Sequence, residues 1–197
     1  MRTITWDEMT WLNEPPTAVV DGADLVVTTG RNTDFWHKTA YGFVHDDGHL
    51  LGLSLPAEAA IEVTFRARFE AQFDQAGLML RAGPDSWLKT GVELADGEHH
   101  ASVVATAGMS DWSVAPLPEQ AAGHPLTFRA SRKGDAVTVR YRVAEEQRWR
   151  LLRVAYFPPE VDVIAGPMTC SPTREGLRVR FEPVRVGPPD AQLHEDD

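Results

Sequence analysis

The sequence predicts an all-β protein, a two-sheet antiparallel β-sandwich of the jelly-roll kind. Three observations predict it. Apolar residues recur with period two in a succession of short runs, the mark of strands with one face buried. The 15 Gly and 14 Pro fall largely between those runs and supply turns. No window carries the 3.6-residue period of an amphipathic helix, and "PLPEQAAGH" (116–124) holds one turn at most.

In chain order the runs are "DLVVTT" (24–29), "GFVHDDGHLLGLSL" (42–55), "IEVTFRARFE" (61–70), "AGLMLRA" (76–82) and "WLKTGVEL" (87–94). "HASVVATA" (100–107), "LTFRASRKGDAVTVRYRV" (126–143), "WRLLRVAYF" (149–157), "VDVIAGPM" (161–168) and "LRVRFEPVRV" (177–186) follow. Ile61, Val63, Phe65, Ala67 and Phe69 alternate most cleanly. "SRKGDA" (131–136) and "HDDGH" (45–49) read as hairpin turns, each with a Gly to adopt positive φ. Many short strands without an internal repeat favour two packed sheets over a solenoid. Proline pairs at 15–16, 158–159 and 188–189 mark entries and exits, so residues 1–187 form one domain. Residues 188–197 read as a disordered acidic tail.

Charge narrows the partners. The 197 residues sum to −10, and "GPPDAQLHEDD" (187–197) holds four acids with no Lys or Arg. The remaining body is still acidic and repels phosphate backbones, which argues against nucleic acid. No apolar stretch reaches the roughly 20 residues of a membrane span, and the N-terminus lacks a signal-peptide apolar core. Cys170 is the sole cysteine, so no internal disulfide forms and a reducing, cytoplasmic setting is expected.

The strand "WLKTGVEL" carries the functional signal. If Leu88, Val92 and Leu94 fill the core, Trp87, Lys89 and Glu93 share the opposite face, spaced roughly 6.5–7 Å apart. Gly91 leaves room between the last two for a ligand or another backbone. Lysine is also scarce, 3 of 19 basic residues, which marks Lys89. A cross-strand ion pair on a solvated sheet would use the same residues. Gln75 and Arg81 fall on the same face in "DQAGLMLR", and Arg153 joins them if Leu152, Val154 and Tyr156 are core. Read as loops, "TDFWHKTAYGF" (33–43) and "SDWS" (110–113) add Trp36, Trp112 and Asp111, aromatic faces beside carboxylates that suit a sugar. For Trp6, Trp11 and Trp149, core packing is the expectation.

Enzymatic motifs are sparse. Glu93 is the one acid placed mid-strand on the polar face, and Asp34, Asp111 or Glu62 could be its partner in a hydrolase. No G-x-S-x-G elbow and no phosphate-binding glycine loop occur. "HDDGH" fits a turn better than a metal cluster, and Cys170 reads as a buried or strand-end thiol. The expectation is no metal and no cofactor.

Taken together, "WLNEPP" (11–16), "TDFWHKTAYGF", "DQAGLMLR", "WLKTGVE", "SDWS", "LLRVAYF" and "GPMTCSPTREGLRVRF" (166–181) resemble the DUF1349 family. That family is also called regulation-of-enolase-protein-1-like, and the resemblance runs from about residue 5 to 187. It implies a concanavalin A-like lectin/glucanase fold whose concave face carries Trp87, Lys89 and Glu93. The glucanases of that fold carry an E-x-D-x-x-E strand motif, which "GVELADGE" does not reproduce. The expected function is therefore a non-catalytic, cytoplasmic protein that binds a carbohydrate or small polar metabolite, regulatory in sugar metabolism. The expected ligand contacts are Trp36, Gln75, Arg81, Trp87, Lys89, Glu93, Asp111, Trp112 and Arg153. A hydrolase using Glu93 and an interaction module for a metabolic enzyme are the alternatives.

Overall fold

A computed structural model describes residues 1–121 and 123–194 and shows the predicted sandwich. Among the described residues the front sheet has seven strands. They run, edge to edge, Ser110–Pro116, Glu98–Ala107, Ser86–Ala95, Gln75–Gly83, Ile164–Cys170, His49–Ser54 and Thr10–Leu12. The back sheet has nine. Its main path is Arg150–Tyr156, Ala136–Val143, Leu126–Lys133, Ala59–Ala67, Arg178–Phe181, Asp24–Thr28 and Thr17–Asp21. Arg2–Thr3 and Arg185–Gly187 extend it beside Ala59–Ala67. The pairs within both sheets are antiparallel, as expected of strands that bury one face.

The core lies where the alternation placed it. Ile61, Val63 and Phe65 from the back sheet meet Leu78, Leu80, Leu88 and Val92 from the front. Phe128 stacks between Phe65 and Tyr141, with ring centroids 5.9 and 5.6 Å away. Trp6 and Trp11 pack against this core as expected, whereas Trp149 lies 4.6 Å from the Arg142 guanidinium at the periphery. The turn at Gly134 (φ 58°) closes the predicted 126–143 hairpin.

Three local expectations fail. "HDDGH" is not a hairpin turn. Val44–Asp46 pairs instead with Phe35–His37, forming a separate two-stranded flap whose tip winds through Lys38, Ala40 and Gly42 at positive φ. His49 then starts a front-sheet strand, so the sequence run 42–55 is divided between two structures. "SDWS" opens an edge strand rather than a loop. The third concerns the acidic tail, whose described part is docked on the back sheet. Asp190 pairs with Arg129 and Arg140, and its amide donates to Ser131 Oγ at 2.8 Å. The sheet offers two guanidiniums to one tail carboxylate, which composition alone does not reveal. Residues 195–197 lie outside the described set.

Candidate functional site

Ser86–Ala95 builds the site, because its odd-numbered residues face away from the back sheet. Cross-strand register sets Gln75 opposite Glu93, Gly77 opposite Gly91, Met79 opposite Lys89 and Arg81 opposite Trp87. On the other side Lys89 faces Val104, which faces Trp112. The two glycines serve backbone contact, not a ligand floor. A Cβ on Gly77 would stand 2.0 Å from Thr90 O, and one on Gly91 2.0 Å from Ala76 O. Only glycine lets these strands approach so closely.

The flap covers half of this face, which alters the expected site. Trp87 is 1% exposed, packed 6.2 Å from Phe35, and its Nε1 donates to Pro84 O. It belongs to a second apolar cluster with Met79, Leu50, Met168 and Cys170. Trp87 is thus part of a sealed layer and not an open stacking surface. Arg81 is spent as well, giving Asp46 two hydrogen bonds of 2.6 and 2.7 Å that fasten the flap. Arg153 comes from the back sheet and reaches the front-sheet edge, where it binds Asp111 at 3.0 Å and Ser113 Oγ at 2.8 Å. Trp87, Arg81, Asp111 and Arg153 therefore leave the expected site. Each is satisfied by a neighbour that the spacing of a single strand does not disclose.

Five predicted residues come together. Trp36, Gln75, Lys89, Glu93 and Trp112 line one cavity of about 280 Å³ between flap and sheet. Asp34, Tyr41, Phe43, His45 and Phe73 complete most of the wall, with Asn32, Pro172 and Thr173 at its margin. Asp34 sits at the base of the flap, where its carbonyl accepts the amides of Asp47 and Gly48. Its carboxylate accepts Lys89 Nζ at 2.8 Å, the Phe35 amide at 2.7 Å and Gln75 Nε2 at 3.4 Å. Of the three acids proposed to accompany Glu93, only Asp34 enters the cavity. Asp111 is at the edge, and Glu62 lies in the back sheet, bonded to Arg129.

Burial governs the electrostatics. Glu93 is 7% exposed and accepts Ser102 Oγ at 2.7 Å and Trp112 Nε1 at 3.0 Å. Burial raises its pKa and the negative Asp34 adds to that, so Lys89 and the two hydrogen bonds offset the shift only in part. Burial alone would lower Lys89. Asp34 and Glu93 outweigh it, and the ammonium is held above its ordinary pKa. Lys89 is consequently a fixed cation rather than an amine nucleophile. The Cys170 thiol is fully buried, and burial pushes its pKa well up, which leaves it inert.

Phe73 is a residue the sequence reading missed. It holds φ at 65°, an uncommon conformation for a bulky side chain. The turn is pinned by Asp74, whose buried carboxylate accepts the Glu70 and Ala71 amides and the Arg174 guanidinium. The result presents Phe73 edge-on to Trp112, with centroids 6.4 Å apart at 80°. Strain kept at a cavity wall is a pointer to function. Ser102 was missed too, although it is a polar residue in the outward stripe of "HASVVATA".

A wider recess of about 890 Å³ opens at one end of the sandwich beside Phe69, His99 and Leu117. Its charged rim is solvated, with Arg68 and Glu98 side chains 89% and 76% exposed. Among the described residues it holds no buried ionisable group, so the front cavity is the better candidate. No group of His, Cys, Asp and Glu suited to a metal occurs among the described residues.

The DUF1349 family, described as "Protein of unknown function", matches residues 11–189. The chain belongs to this family. It is 36% identical over 173 residues to "Regulation of enolase protein 1" of Saccharomyces cerevisiae, covering 87% of this chain and 85% of that protein. A crystal structure titled as a functionally unknown protein from the same yeast superposes with a TM-score of 0.87 at 32% identity. It covers 95% of this chain and all of that one. The xylan β-1,4-xylosidase of Bacillus halodurans reaches a TM-score of 0.64 at 13% identity, over 83% of this chain but 32% of the xylosidase. At that identity the likeness extends to the fold, a two-sheet antiparallel β-sandwich, and no further. No helix among the described residues is long and apolar enough to cross a membrane.

Proposed function

We propose that this protein binds a small polar organic ligand, of monosaccharide size, in the cavity between flap and front sheet. The supporting observation is the meeting of aromatic walls with a hydrogen-bonded acid–base floor in one cavity. About 280 Å³ stands near the lower end of ligand-pocket volumes. Trp36, Trp112 and Phe73 offer apolar faces, while Asp34, Gln75, Lys89 and Glu93 offer donors and acceptors. With Arg81 and Arg153 committed elsewhere, an anionic ligand loses its support, and the ligand is neutral or cationic. We read the role as binding rather than catalysis, because the second carboxylate that shares the cavity with Glu93, Asp34, is held in an ion pair with Lys89. A regulatory role, with a protein partner, is supported by similarity to a protein named for the regulation of enolase; a reducing, cytoplasmic setting is read from the lone buried Cys170.

The test is calorimetric titration with a panel of monosaccharides and polar metabolites against wild type, Trp112→Ala and Glu93→Gln. The reading expects binding that weakens by about tenfold or more in each variant. Binding unchanged in both variants would exclude the cavity. One observation favours a hydrolase, namely that Glu93, with its raised pKa, shares the cavity with Asp34. Turnover of chromogenic glycosides, abolished by Glu93→Gln, would establish that alternative.

A further inference from the structure

The cavity supports a more specific inference, which rests on the reading that a ligand occupies it. Its two carboxylates are not equivalent. Asp34 and Lys89 neutralise each other at 2.8 Å. Glu93 is held by two neutral donors, Ser102 Oγ and Trp112 Nε1, and among the described residues it forms no ion pair. A buried carboxylate with no cation in contact is costly, and the nearby Lys89 offsets that cost only in part, so Glu93 is a standing demand for positive charge. Around it stand the rings of Trp36, Tyr41, Phe43, Phe73 and Trp112, whose faces attract cations. Tyr41 and Phe43 stack 5.4 Å apart, and Tyr41 packs against Trp36, forming a continuous aromatic wall on the flap.

We propose that the ligand carries a cationic amine, an alkylammonium or the ammonium of an amino sugar, seated among these rings with its charge toward Glu93. Lys89 does not forbid this, because its charge is taken up by Asp34. The raised proton affinity of Glu93 accords with the same demand, since burial of the acid outweighs the nearby Lys89 charge.

The experiment compares matched probes by calorimetry near neutral pH: choline against the neutral isostere 3,3-dimethylbutan-1-ol, and glucosamine against glucose. The expected result is that the cation of at least one pair binds about tenfold or more tightly than its neutral twin. Glu93→Gln, which keeps shape and hydrogen-bond capacity, removes that preference. Melting curves establish that the variant is folded. Equal binding of cation and neutral twin in both pairs, a preference that survives Glu93→Gln, or no binding of either cation would overturn the inference. Glucose binding as tight as glucosamine, with choline no better than its neutral isostere, would remove the charge argument and leave the cavity reading intact. The cavity reading itself falls only if the wider panel also fails.

Discussion

Lys89 is 4% exposed, and its ammonium is matched by a single carboxylate, Asp34, at 2.8 Å. Removing one member of such a pair leaves an uncompensated buried charge and costs about 3–5 kcal/mol. Lys89→Met is therefore expected to lower unfolding free energy by about 3 kcal/mol in denaturant titrations. Adding Asp34→Asn should restore part of that loss, whereas independent sites would give additive losses. Glu93 provides a pH signature. Its folded pKa lies above the ordinary 4.5, so the folded state holds the proton more tightly than the unfolded chain. Stability from this group is complete below pH 4.5 and declines as pH rises through the folded value. Relative to Glu93→Gln, wild type should lose stability on going from pH 4.5 toward neutrality, as read by thermal melts across that range. A parallel pH dependence in the two proteins would contradict the assignment.

At the scale of elements, the flap and the glycine pair shape the cavity. The flap is tied by the Arg81–Asp46 double hydrogen bond, by the His37 amide to Ser110 Oγ, and by Phe35 on Trp87. Arg81→Met should loosen it, seen as faster amide exchange confined to residues 35–46, with the core strands unaffected. Gly91 is a different constraint. Its missing Cβ would meet the backbone of Ala76, which cannot move aside as a side chain can. Gly91→Ala is expected to cost about 1–3 kcal/mol or more through forced strand separation. Gly52→Ala meets its neighbours at ordinary contact distance, 3.4 Å and beyond, and should be much milder. Equal melting temperatures for the two variants would refute the close-approach argument.

For the whole molecule, the sandwich was legible because burial of alternate residues leaves a period of two in the sequence. Ile61–Val63–Phe65 and Leu88–Val92 disclosed both sheets and which face of Ser86–Ala95 turns outward. The cavity was only partly legible. Lys89, Glu93 and Gln75 follow from alternation and register on adjacent strands, which is local information. Trp87 and Arg81 were misread because the residues covering them, Phe35 and Asp46, come from a flap folded over from 35 or more positions away. Phe73 was hidden by a turn conformation that depends on Asp74 and Arg174 meeting across 100 residues. Alternation reports which face a side chain takes and is silent on what later closes over it.

The central claim is that a ligand enters between the flap and the front sheet. Six Trp indoles give a direct test, since two of them line the cavity and the others lie outside its wall. In ¹H–¹⁵N correlation spectra titrated with the panel and the amine probes, the indole signals of Trp36 and Trp112 should shift together and saturably. Those of Trp6, Trp11 and Trp149 should stay fixed. Shifts at these three, or none at Trp36 and Trp112 with any compound, would contradict the account.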